Sequence, residues 1–285
     1  MLNIKKILLP LDLQETALPI GTIRQAVALA HHFHSEILLL HVVKPFTYMT
    51  SSDAAQELLE QAVTNEQEQL KKCLGSELDG STVRRMVLKG DPAREILRIA
   101  HDEKIELIVM PTHGYRALER LLMESVTVKV LHNSECPVWT GAHVEDLPGQ
   151  RFAIRSVLCA VDFSTHSSKT VRWAKNMATE FNAHLTLVHV TPGVEIYGPG
   201  GYHVLNDMKQ ELVSSATKQM ATIQQELGTK EEVFIGSGEA PKVMSQAAKE
   251  VKADLLVVGC RSHSGRLGHT AYGIISESHV PVLSV

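Results

Sequence analysis

The sequence predicts an α/β protein built from two tandem copies of one unit, each a five-stranded parallel sheet with helices on both faces. Two observations predict it. The chain repeats itself at an interval near 150 residues, and within each copy short apolar runs alternate with helical patterns. A third agrees: 285 residues, 44% of them hydrophobic, are enough for two cores of ordinary size.

The repeat is ordered along the chain. Asp12 matches Asp162, an offset of 150. Two residues are lost in the following turn, and at an offset of 148 Ile23 meets Val171, Ala26 meets Ala174, Ala30 meets Ala178 and Phe33 meets Phe181. His41-Val42 meets His189-Val190 at the same offset, and Gly90 meets Gly238. Pro137-Val138 meets Pro281-Val282, so four more residues are missing before the last strand of the second copy. The join falls in the polar, aperiodic stretch Ala142 to Ile154, with Pro148 and Gly149. The expected domains are 1–142 and 155–285, with 143–154 as linker.

The elements follow in order. Ile4–Leu11 and Arg155–Val161 are short apolar runs of the kind buried parallel strands show. Ile23, Ala26, Ala30 and Phe33 recur at helical spacing, as do Val171, Ala174, Ala178 and Phe181. Second strands are expected at Glu36–Val43 and Ala183–Val190, followed by long polar helices near Asp53–Leu74 and His203–Leu227. Third strands are expected at Thr82–Leu88 and Glu232–Ile235. "GDPAREILRIAHDEK" and "GEAPKVMSQAAKEVK" place an acid and a Pro where a helix begins. Fourth strands at Glu106–Met110 and Asp254–Val258, a loop, a short helix and a last strand complete each copy.

Composition narrows the function. A net charge of −4 and a pI near 6.4 argue against a protein built to hold nucleic acid or an anionic membrane. Four cysteines, none in a C-x-x-C pair, give no disulfide or zinc framework. With no signal segment read at the N-terminus and no apolar run of about 18 residues, a cytoplasmic protein is expected.

In an open parallel sheet, ligands bind beyond the carboxyl ends of the strands, where the strand order reverses. Three features converge there in each copy. They are Asp12 or Asp162 after the first strand, His41-Val42 or His189-Val190 at the end of the second, and a loop leading to a helix after the fourth. That loop begins Pro111-Thr112-His113-Gly114 in the first copy and Gly259-Cys260-Arg261-Ser262 in the second. A helix N-terminus presents free N–H groups and a positive partial charge, which suits phosphate.

A first strand ending in Asp, a second ending in His-Val and a Gly-x-x-Gly-(nine residues)-Gly-Ser/Thr loop resemble the universal stress protein family in its tandem form. The resemblance spans both copies. It implies a flavodoxin-like, adenine nucleotide alpha hydrolase-like fold, and ATP or AMP, with Mg2+, as ligand. It would place adenine and ribose at Pro10, Asp12 and Val42, and at Asp162 and Val190. Phosphates would lie at Thr112, His113, Gly114 and Ser125, and at Gly259, Ser262, Gly268, His269 and Thr270. Family members dimerise through the last strand, and the resemblance implies such pairing within the chain.

Both loops depart from the pattern. In the first, Pro111 replaces one Gly and Glu124 replaces the Gly before Ser125, adding like charge beside a triphosphate. In the second, Ser262 replaces a Gly and the loop is shortened, so that Gly268-His269 stands in the Gly-Ser place. Other candidates have plain readings. Asp12 and Asp162 could cap the next helix. His31, His32 and His34 suit a helix C-terminus better than a metal, and no acid–base pair or nucleophile elbow is evident.

The leading expectation is a non-catalytic stress-response protein whose nucleotide pocket, in at least one half, alters protein partners or self-association. A slow ATPase or other nucleotide-dependent enzyme, and a chaperone-like interaction protein with degenerate pockets, are the alternatives.

Overall fold

The computed structural model describes residues 2–14, 18–44, 53–72, 74, 77–78, 80–111, 125–141, 152–193, 201–260 and 268–285. The chain divides into two compact units, one holding Asn3–Phe152 and the other Ala153–Val285.

In the first unit β1 (Lys6–Pro10), β2 (Glu36–Val43), β3 (Thr82–Lys89), β4 (Leu107–Met110) and β5 (Val138–Thr140) alternate with α1 (Ile20–Phe33), α2 (Asp53–Lys72), α3 (Pro92–Asp102) and α4 (Val126–Asn133). Every strand pairing is parallel, in the order β3-β2-β1-β4-β5. The chain builds outward from β1 to β3, then returns to lay β4 against the other side of β1. The order therefore reverses between β1 and β4.

The second unit repeats this plan. Its strands are β6 (Ser156–Ala160), β7 (His184–Thr191), β8 (Glu232–Ser237), β9 (Leu255–Val258) and β10 (Val282–Ser284). Its helices are α5 (Ser167–Phe181), α6 (Gly201–Leu227), α7 (Ala240–Glu250) and α8 (His269–Glu277). The strand order is β10-β9-β6-β7-β8, again parallel. The reversal lies between β6 and β9.

Burial explains why these runs are strands. Successive strand residues face opposite sides of a sheet, so a strand is continuously apolar only when both faces are covered. Ile37 through Leu40 of β2 are each at most 2% exposed, and all four residues of β4 and of β9 are buried. Ile23, Ala26, Leu29 and Ala30 supply the buried stripe of α1, and Val171, Ala174, Met177 and Ala178 that of α5.

The foot of each sheet is tied in the same way. Glu106 Oε2 accepts from the Lys6 N–H at 3.0 Å, and Asp254 Oδ2 accepts from the Ser156 N–H at 3.0 Å. Helix ends repeat too. α1 and α3 turn out through His34 and Lys104 at φ 57° and 55°, and α5 and α7 through Asn182 and Lys252 at 51° and 49°. Each left-handed residue lets the next N–H reach back to the helix, as from Ala183 to Ala178 O at 2.7 Å.

Candidate functional site

Each unit opens a crevice at the reversal of its sheet, where carbonyl ends of adjacent strands diverge. Its wall is built by the first two strands and their histidine. In the first unit the Leu11 N–H donates to Leu40 O at 2.8 Å, and His41 Nδ1 lies 2.9 Å from Leu11 O. Toward that carbonyl Nδ1 can only donate, while the Leu13 N–H, 3.4 Å away, points at the same nitrogen as an acceptor. In the second unit the Val161 N–H donates to Val188 O at 2.8 Å, and His189 Nδ1 donates to Val161 O at 2.7 Å. Both histidines pin the carbonyl immediately before Asp12 or Asp162, and so hold the start of the loop that carries the carboxylate.

The rings differ beyond that shared bond. His41 is 2% exposed, and its Nε2 is buried without a partner among the described residues. His189 is half-buried and stacks on Phe163, with ring centroids 4.0 Å apart and an interplanar angle of 29°. Leu13 stands in the corresponding place of the first unit.

Both aspartates are exposed and lie two residues past their strands. Asp12 Oδ1 accepts from the Gln14 N–H at 3.0 Å, and Asp162 Oδ1 accepts from the Ser164 N–H at 3.0 Å. Asp162 also accepts from Ser167 Oγ at 2.7 Å, at the first residue of α5. Partial burial alone would raise the Asp162 pKa; the donors from Ser167 and Ser164 outweigh it and hold the carboxyl below its ordinary value. The caps of α1 and α5 are Pro19 and His166, so neither aspartate caps the next helix.

The helix after the fourth strand completes each crevice. In the first unit Ser125 is the N-cap of α4, and its Oγ accepts from the Val128 N–H at 3.2 Å. In the second unit Gly268 caps α8 and makes no side-chain cap bond. Gly259, just past β9, is required by packing, since a Cβ there would lie 2.9 Å from Thr170 Oγ1 of α5.

The first crevice brings together Pro10, Asp12 and Val42 with His41, Met110, Pro111 and Thr127, around a cavity of about 90 Å3. The second brings together Asp162, Val190, Gly259, Gly268 and Thr270 with His189, Met244 and Cys260, around about 570 Å3. Ser125 and His269 stand on the adjoining helices, at the N-cap of α4 and the first residue of α8. The expected phosphate residues Thr112, His113, Gly114 and Ser262 lie outside the described residues, as do Glu124 and Arg261.

His41 and His189, expected with Val42 and Val190 at the ligand edge, line the two crevices, and Cys260, to which the sequence pattern assigned no role, lines the second. Among the described residues no three His, Cys, Asp or Glu side chains gather as a metal site. No described helix is long and apolar enough to cross a membrane.

Two doubly wound α/β units of strand order 3-2-1-4-5, each with a crevice at its switch point, define a tandem protein of the adenine nucleotide alpha hydrolase-like class. The model of the universal stress protein family matches twice, over residues 3–140 and 153–285. The chain belongs to that family and carries its domain in duplicate. A universal stress protein of Methanocaldococcus jannaschii is 36% identical over 138 residues, 47% of this chain and 79% of that protein. Universal stress protein A of Escherichia coli is 33% identical over 140 residues, 47% of this chain and 94% of that protein. A crystal structure of a universal stress protein from Archaeoglobus fulgidus shares the fold over 98% of this chain and 95% of its own, with a TM-score of 0.64 and 21% identity.

Proposed function

We propose that the protein is a non-catalytic cytoplasmic stress-response protein that binds an adenine nucleotide, ATP or AMP, in at least one half, and whose occupancy alters its association with protein partners or with itself. The observation that carries this reading is the repeated crevice. In each unit an exposed aspartate and a helix N-terminus flank the reversal of a parallel sheet. A carboxylate accepts from ribose hydroxyls, and a helix N-terminus receives phosphate oxygens. Asp162 is the single carboxylate among the described residues lining the second crevice, so magnesium would be held mainly by the nucleotide's own phosphates. Among the described residues lining the crevices no nucleophile is oriented by a base.

The test is extraction of small molecules from the purified chain, followed by calorimetric titration with ATP and with AMP, with and without magnesium. Adenine nucleotide in the extract and saturable binding are expected. Phosphate release above a protein-free blank would favour the ATPase alternative. No binding of either nucleotide would leave the interaction protein with degenerate pockets.

A further inference from the structure

We infer that nucleotide occupies the second unit alone, one molecule per chain. This rests on the reading of the crevices as nucleotide pockets, and it is carried by four differences between crevices that share one backbone plan.

The first is room. Ligand pockets commonly enclose about 300–1,000 Å3. The second crevice, at about 570 Å3, lies inside that range, and the first, at about 90 Å3, holds no more than a few waters or a very small molecule. The second is the anion end. Ser125 Oγ already occupies a first-turn N–H of α4, whereas Gly268 brings no side chain to compete for those of α8. The third is the carboxylate. Asp162 is fixed by two donors, Ser164 N–H and Ser167 Oγ, and Asp12 by the Gln14 N–H. A carboxylate already oriented loses less freedom when it accepts a ribose hydroxyl. The fourth is the wall. His189 lines the second crevice half-exposed with Phe163 stacked behind it, while His41 is buried.

Calorimetric titration of the full chain with ATP tests the inference, with hydrogen exchange locating the ligand. One equivalent is expected, with protection gained at 258–260 and 268–272 and none at 110–111 and 125–128. Asp162→Asn is expected to weaken binding at least tenfold. Thr270→Glu puts an acid in the first turn of α8, where it suits the helix, and repels phosphate. It is expected to weaken ATP at least tenfold more than it weakens adenosine. Two equivalents, or protection confined to the first unit, would overturn the inference and leave the nucleotide reading standing. Absence of binding to both units would overturn that reading itself, and this one with it.

Discussion

Asp162 shows how one side chain couples the fold to the crevice. Its carboxyl is held low by Ser167 and Ser164 against the opposing effect of burial. A depressed folded pKa contributes stability that is fully present above the unfolded value of about 3.9 and is lost as pH falls through the folded value. Ser167→Ala removes the 2.7 Å donor and is expected to move the Asp162 titration upward in carboxyl-resolved NMR. A titration that stays in place would show that the hydroxyl does not hold the charge. Because Asp162 is exposed, the accompanying loss of stability should stay below about 1 kcal/mol. The aspartate itself was legible from the repeat, matched to Asp12 at the end of an apolar run. Its partner was not, because Ser167 reads as one polar residue among several near a helix start. The bond from Trp139 Nε1 to Gln25 Oε1, 2.8 Å long and fully buried, was equally hidden, since 114 residues separate the two.

At the scale of elements, apolar runs located the first, second and fourth strands of each copy but not every strand end. Ile4 and Leu11 are buried, yet β1 runs only from Lys6 to Pro10. Burial sets the run, while ladder hydrogen bonds set the strand, and only the first is written locally. The acid-Pro start of α3 was legible, with Asp91 accepting from the Arg94 N–H at 2.9 Å. In α7 the corresponding Glu239 makes no such bond, its longer side chain fitting the cap less well. Close contacts between elements left no trace in the pattern. Gly141, just past β5, faces α1 so closely that a Cβ would lie 2.3 Å from Thr22 Oγ1. Gly141→Ala is therefore expected to destabilise the first unit by about 1–3 kcal/mol in urea denaturation. Thr22→Ala in the same chain should recover most of that loss, because the two residues share one contact. Additive losses in the double variant would place the strain elsewhere.

For the molecule as a whole, duplication was the most legible property, since each copy must bury the same faces with the same spacing. The inequality of the crevices was only half legible. Glu124 and the shortened second loop marked departures from the family pattern, but the cap by Ser125 and the difference in room required coordinates. The paired left-handed turns have a consequence for both units. Residues other than glycine meet a steric penalty of about 1–2 kcal/mol in that conformation. At His34, Lys104, Asn182 and Lys252 the chain tolerates it. Lys104→Gly and Lys252→Gly are each expected to raise the melting temperature by a few degrees, a net gain of roughly 0.5–1 kcal/mol after the added freedom of the unfolded chain. A lower melting temperature would mean that the lysine side chains outweigh the turn. Both positions sit at the opposite pole of the sheet from the ligand-facing tips. A chain reinforced there would keep its fold while its pockets were redesigned, giving experimenters a margin that the natural sequence leaves unused.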